Sequence, residues 1–276
     1  MSPALALDAL GRDARLALRV LRRSPVFAAA AILTLAVGLG ANAAIFTLVD
    51  TLLLRALPYP EPERLALVST VYRSSGFEGE QLSQDGLTWE ALRDGAASVD
   101  LAAYSGWPSG ANLYAGGGAS HVQQQRVGAG FFRVLGIAPA LGREVSPEED
   151  VPNGPAVAVL SHGLWQRAFG GDPAILGRTI LLKGEPHTVV GVMPEGFRSL
   201  GPADLWTPLR PSPTGEGQGT NYGVLARLRP GVAWAEADAE IAAVGGAAWA
   251  ERGSEIPATV SFALAPLRSG LTGELR

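Results

Sequence analysis

The residues from Pro25 to Val49, PVFAAAAILTLAVGLGANAAIFTLV, carry no charge, and this run limits the architectures open to the chain. A bilayer core takes about 20 apolar residues in helical form, while helices of soluble domains average about 10–14. Ser24 suits an N-cap, and Pro25 suits the first helical turn, where its missing N–H is not needed. Four readings are open for such a run: a buried core helix, a cleavable export signal, a membrane anchor, or one helix of a transport machine. Ala41-Asn42-Ala43 fits the small-x-small pattern of signal cleavage. The apolar run resumes directly as AIFTLVDTLLL, however, so cleavage would leave a greasy helix at the new N-terminus. An uncleaved transmembrane helix over residues 24–54 is the expectation.

Charge supplies the orientation. Residues 1–25 hold five arginines against Asp8 and Asp13, a net of +3, and the remaining residues hold 17 basic against 24 acidic, a net of −7. A basic head before an apolar span and an acidic body after it is not a nucleic-acid-binding pattern. Arg12, Arg15, Arg19, Arg22 and Arg23 place the N-terminus in the cytoplasm by the positive-inside rule. Leu7, Leu10, Leu18 and Leu21 lie among them, so residues 1–23 read as an amphipathic cytoplasmic segment with arginines toward lipid phosphates. Within the span, Ala36, Gly40 and Ala44 recur every fourth residue, and Asn42 lies beside them. Small residues at that spacing let a second helix approach closely, so these four are candidates for helix packing. Alanine-rich spans also produce the spacing by chance.

RALPYPEPERL follows, with three prolines between Pro58 and Pro62. It cannot continue a helix, and residues 55–63 read as a neck. Residues 64–268 then mix short strands and helices, an α+β pattern with too few long βαβ units for a doubly wound sheet. Strands are expected at 64–72, 99–107, 111–117, 121–129, 222–231 and 258–267. Helices are expected at 88–98, starting at Thr88, and at 232–253. A helical turn spans 130–136 and closes at Gly136. Residues 156–171 read as a strand and then a helix capped by Ser161, and 178–193 as a hairpin turning at Gly184-Glu185. The Gly/Pro/Thr-rich stretch 210–220 is expected to be a mobile loop.

Chemistry-bearing motifs are sparse. The chain has no cysteine, which excludes thiolate metal sites, thiol catalysis and disulfides. His121, His162 and His187 form no metal-ligand pair. Ser161-His162 at a strand-to-helix turn lacks the flanking glycines of a nucleophile elbow, so N-capping is the expected role of Ser161. Gly116-Gly117-Gly118 is followed by no Gly-Lys-Ser/Thr and reads as a turn rather than a phosphate loop. Glu148, Glu149 and Asp150 lack the alternating ligand spacing of a calcium loop and read as a solvated turn. The six tryptophans are scattered and suit packing. No catalytic, cofactor-binding or metal-binding residue set emerges, so a non-enzymatic role without a cofactor is expected.

Several stretches taken together resemble the MacB/FtsX-type ABC transporter permeases, and in particular the acidobacterial duplicated orphan permeases. LRRSPVFAAAAILTLAVGLGANAAIFTLVDTLLLRALPYPEPERL is similar to the first membrane helix and neck of that family. VGAGFFRVLGIAPALGREVSPEED, VAVLSHGLWQRAFGGDPAILGRTILLKGEPHTVVGVMPEGF, ADLWTPL and LARLRPGV resemble its MacB-like periplasmic core domain. The resemblance implies an α+β extracytoplasmic domain inserted between two membrane helices, with residues 269–276 beginning the connection to a second helix that is missing here. It also implies an inner-membrane location and contact with membrane lipid. The implied partners are a homodimer mate or other permease helices and a separate ABC ATPase, with no nucleic acid. Such a chain would be a permease subunit, or the N-terminal part of one, coupling ATPase-driven movement to its outer domain for export or mechanotransmission. A membrane-anchored extracytoplasmic binding or sensor module acting without transport is the alternative.

Overall fold

The computed structural model describes residues 25–49, 57–74, 77–115, 118–212, 219–251 and 259–269. Residues 1–23 with their five arginines, Ser24, residues 50–56, the centre of the 210–220 loop and residues 270–276 lie outside the described residues. By internal contacts the chain divides into two units, Met1–Ala56 and Leu57–Arg276.

In the first unit, helix α1 runs over Pro25–Val49 with no charged residue in its 25 positions. The side chains at eight of those positions lie outside the description. Among the described residues no helix is long and apolar enough to cross a membrane.

Among its described residues the second unit is built on thirteen strands in one hydrogen-bonded network. In chain order they are β1 Leu65–Ser74, β2 Phe77–Gln81, β3 Ser83–Gln84, β4 Val99–Ser105, β5 Ser109–Ala115, β6 Gly118–Val127, β7 Leu141–Gly142, β8 Val157–Leu160, β9 Thr179–Leu182, β10 Glu185–Val192, β11 Leu205–Pro208, β12 Tyr222–Leu228 and β13 Thr259–Pro266. Helix α2 (Gly86–Gly95) precedes β4, α3 (Phe131–Leu135) follows β6, α4 (His162–Phe169) follows β8, and α5 (Trp234–Glu251) follows β12.

Four strands form an open antiparallel sheet in the order β4-β12-β1-β13, with β2 returning along β1. Side chains on a strand alternate between faces, and here both faces are covered. Ala66, Val68, Val224, Ala226, Phe262 and Leu264 pack with Trp89 and Leu92 of α2 and Ala237 and Ile241 of α5. Leu65, Leu67, Ala102, Tyr104 and Leu225 face the other way, onto Phe131, Phe132, Val134 and Leu135 of α3. This double cover explains why every residue of β12 is buried.

Of the other described strands, β3 pairs with β12, β7 pairs with β10, and six close on themselves. β11 pairs with β8, β8 with β10, β10 with β9, β9 with β5, β5 with β6, and β6 again with β11. The result is a six-stranded ring filled by Leu113, Val122, Leu160, Ile180, Leu182, Val189 and Leu205, with Leu164 of α4 and Ile175. A closed ring leaves no free strand edges to attract other chains. Tyr104 opposite Val127 joins β4 of the open sheet to β6 of the ring.

The α+β expectation holds for the second unit, with differences at element ends. Helix α2 starts earlier than Thr88, because the Asp85 carboxylate caps it by accepting from the Thr88 N–H at 2.8 Å. Ser161 caps α4 as expected, accepting from the Leu164 N–H at 3.1 Å. Gly136 ends α3 in the left-handed conformation. Strands β2, β3, β7 and β11 had no counterpart in the sequence reading.

Candidate functional site

On α1, Ala36, Gly40 and Asn42 are exposed, and the Ala44 side chain lies outside the description. A Cβ added at Gly38 or Gly40 would meet nothing within 4 Å. Ile32, Leu33, Leu35, Val37, Leu39 and Phe46 are exposed as well, so the described surface of α1 is apolar on every side rather than amphipathic. The Thr34 hydroxyl donates to the Ala30 carbonyl at 2.9 Å, which satisfies that polar group within the helix.

Residues from Leu57 onward are packed into the second unit. Tyr59 is buried among Leu65, Phe131 and Leu267, and its hydroxyl donates to the Arg198 carbonyl at 3.0 Å. Burial pushes the Tyr59 phenol up to about 12. Pro62–Arg64 forms a single 3-10 turn, with Glu61 before it in the left-handed region. The Arg64 guanidinium donates to the Leu228 carbonyl through Nε and Nη2 and pairs with Glu61.

Arg227 of β12 shares a face with Leu225, the face that α3 covers. It is 8% exposed and has no carboxylate partner among the described residues. Its Nε donates to the Val134 carbonyl at 2.6 Å and its Nη2 to the Pro60 carbonyl at 3.0 Å. Burial lowers its pKa and the nearby Arg64 lowers it further, while Glu61, Glu63 and Asp100 act in the opposite direction.

Two of the acidic trio, Glu149 and Asp150, depart from the expected solvated turn, while Glu148 is exposed as expected. Glu149 is buried and forms a two-pronged ion pair with Arg143, at 2.8 and 2.6 Å, while also accepting from the Ser146 N–H at 2.9 Å. The Arg143 hydrogen bond holds the Glu149 carboxyl below its ordinary value against the effect of burial. Asp150 shifts the other way, because burial raises its pKa more than the amides of Arg210 and Ala129 lower it. Those amides donate to its two oxygens at 2.7 and 2.9 Å. Glu149 ties the 143–150 loop to itself, and Asp150 fastens the loop to Arg210 beyond β11 and to the β6–α3 turn, which excludes a purely solvated role for these two. Among the described residues no cluster of three or more potential ligands could hold a metal.

A cleft of about 160 Å³ opens at the junction of the open sheet and the ring. Leu82, Tyr104, Trp107, Gln125, Leu200 and Gly223 line it. Trp107 is 70% exposed, whereas Gln125 is buried and donates to the Ser105 and Gly106 carbonyls at 3.3 and 2.9 Å. Gln125 thus fixes the backbone that presents the indole. Tyr222 pairs with Ser105 and Arg227 with Leu65, so the cleft lies toward the opposite strand ends from the neck.

The histidines stay apart in role. The His162 ring meets the Trp165 ring edge-on, His187 Nδ1 lies 3.0 Å from the Glu185 carbonyl, and the His121 ring lies over Gly110. Sequence reasoning missed Tyr59, Arg227, Glu149 and Asp150 as functional or anchoring residues. The signal available for Arg227 was an arginine on the same strand face as Leu225, where alternation predicts an apolar side chain.

These features fall within a known class, the outer domains of ABC-type permeases. A family model described as the MacB-like periplasmic core domain matches residues 28–244, and the chain belongs to that family, within the MacB/FtsX-type permeases. The macrolide export ATP-binding/permease protein MacB of Neisseria gonorrhoeae (strain ATCC 700825 / FA 1090) is 36% identical over 85 residues. The MacB protein of Neisseria meningitidis serogroup B (strain ATCC BAA-335 / MC58) matches to the same extent. The aligned stretch covers 30% of this chain and 13% of either relative, so the chain spans a small part of the curated relatives it matches. Among solved structures, a permease-protein domain from Porphyromonas gingivalis aligns with TM-score 0.55 and 19% identity, over 76% of this chain and 92% of that one. The periplasmic region of MacB from Actinobacillus actinomycetemcomitans aligns with TM-score 0.51 and 16% identity, over the same shares. At those identities the likeness is one of fold.

Proposed function

We propose that the chain belongs to a membrane permease subunit that carries ATPase-driven movement to an extracytoplasmic domain for export or mechanotransmission. The observation that carries this reading is the pairing of β1 with β13, with Ala66 opposite Pro266. The chain therefore enters and leaves the outer domain side by side, and Tyr59 before β1 and Leu267 after β13 enter the same hydrophobic cluster. A domain inserted between two membrane helices needs that arrangement. The uncharged 25-residue run supplies the first of those helices, counted over all its positions. Its small-residue face, Ala36, Gly40 and Ala44 with Asn42, packs against a second copy or further permease helices. Arg12, Arg15, Arg19, Arg22 and Arg23 lie against lipid phosphates on the cytoplasmic side of the inner membrane. Catalysis of ATP hydrolysis falls to a separate ABC ATPase subunit, and this chain itself is not an enzyme.

A second reading, a membrane-anchored binding module acting without transport, draws on the Trp107 cleft. Purification of the natural full-length protein from its own membranes in mild detergent separates the two. The transporter reading predicts a co-purifying ABC ATPase with vanadate-sensitive ATP hydrolysis. A chain that purifies without any ATPase and binds one small ligand tightly would overturn it.

A further inference from the structure

We infer that Arg227 is a positioning residue whose single guanidinium ties the neck at Pro60 to the end of α3 at Val134, so that the two move as one piece. The inference rests on the transporter reading above, for which a rigid link between membrane helix and outer domain is needed.

Burying a cation without a carboxylate is costly, and an apolar side chain of similar volume would fill the space without that cost. What an apolar residue cannot do is bond two carbonyls from segments far apart in sequence. Arg227 does so through two nitrogens of one planar group, Nε to Val134 and Nη2 to Pro60. Its rigid fork fixes the separation of the two carbonyls as well as their contact. Val134 lies at the C-terminal end of α3, where carbonyls lack helical partners. The slot is kept open by Gly136. A Cβ there would stand 3.1 Å from Arg227 Nη2 and 3.4 Å from the Pro60 ring, at a backbone φ of +78°.

Helix α3 in turn reaches the ring. The Phe131 and Phe132 rings meet edge-on at 5.5 Å, and Phe132 meets Trp206 of β11 edge-on at 5.4 Å. Phe197 closes the group against both Phe132 and Trp206. Displacement of the neck thus reaches α3 through Arg227 and the ring through the Phe132–Trp206 contact. Arg64 does something different, because its bonds to Leu228 hold the neck to the end of β12 without touching α3.

Amide hydrogen exchange on the full-length chain in lipid nanodiscs tests this. The reporters are the Arg64 and Leu65 amides where the neck joins β1 and the Gly136 and Ile137 amides after α3, each hydrogen-bonded in the structure. Arg227→Met is expected to raise exchange at both pairs together by about tenfold or more, with the β12 amides of Val224 and Leu225 within about twofold of wild type. Arg229→Met, which breaks only the exposed pair with Asp100, is expected to leave all of them unchanged. Arg227→Lys keeps the charge but not the fork, and is expected to release at least one of the two segments. Unchanged exchange in Arg227→Met, or a rise spread evenly through the sheet, would overturn the inference. If Arg227→Met fails to fold, Arg227→Lys decides, and full protection of both segments in that variant would overturn the inference too. The experiment needs no ATPase, so its failure leaves the transporter reading standing. Absence of an ATPase from the purified protein would remove that reading with the Arg227 tie intact.

Discussion

Gly142 faces Gly191 across the β7–β10 pair, so closely that neither position has room for a side chain. A Cβ on Gly142 would stand 2.2 Å from the Val190 carbonyl oxygen, and one on Gly191 would stand 2.2 Å from the Arg143 carbonyl oxygen. Both obstacles are backbone, so no rotamer change relieves them. This pair fixes the start of the 143–150 loop against the ring. Gly191→Ala is expected to destabilise the outer domain by about 1–3 kcal/mol, by forced separation of the strands. Gly142→Ala adds the strain of a left-handed backbone, at φ +72°, and should cost at least as much. Urea unfolding of the two variants beside wild type checks both values. Midpoints equal to wild type would contradict the close packing.

Glu149 and Asp150 are neighbours with opposite dependence on pH. The Glu149 pKa is lowered in the fold, so its contribution is present above the ordinary glutamate value of 4.5 and is lost as pH falls through the folded value. The Asp150 pKa is raised above 3.8, so its relative contribution is present below 3.8 and is lost as pH rises through the folded value. Wild type is therefore expected to lose ground against Asp150→Asn as pH rises through that window. Against Glu149→Gln it should gain ground as pH rises from below 4.5. Chemical denaturation at several pH values measures the two differences, and a slope of the same sign for both would contradict the assignment.

The Ser161 hydroxyl oxygen accepts a hydrogen bond from the Leu164 N–H at the start of α4. Ser161→Ala is expected to cost about 0.5–2 kcal/mol through loss of the cap, and Ser161→Asp, which can cap in the same way, should keep most of the stability. Thermal unfolding of the two variants distinguishes capping from mere packing of a small side chain, for which Ala would be the better tolerated.

Short-range signals made much of the outer domain legible. Gly136 after an apolar turn, Ser161 before one and Gly184 between two alternating strands each carry their meaning within a few residues. Ring closure was not legible, because it depends on β11, four residues ending in Pro208, pairing with β6 some eighty residues earlier. Asp150 escaped for the same reason, because the Arg210 amide that helps hold it lies sixty residues on. Glu149, by contrast, pairs with Arg143 only six residues away. Arg227 was visible as an anomaly in its strand, yet its two acceptors, Pro60 and Val134, come together only in the folded chain.

The proposed transport role requires α1 to cross the inner membrane and to carry the outer domain on its far side. Because the chain has no cysteine, a single introduced one reports unambiguously. Glu195 is exposed in the outer domain, and Ser2 lies among the residues before the span. In intact cells with a permeabilised outer membrane, a membrane-impermeant maleimide is expected to label Glu195→Cys fully, and to label Ser2→Cys only after the inner membrane is broken. Labelling of Ser2→Cys in intact cells with Glu195→Cys protected, or equal labelling of both before lysis, would contradict it.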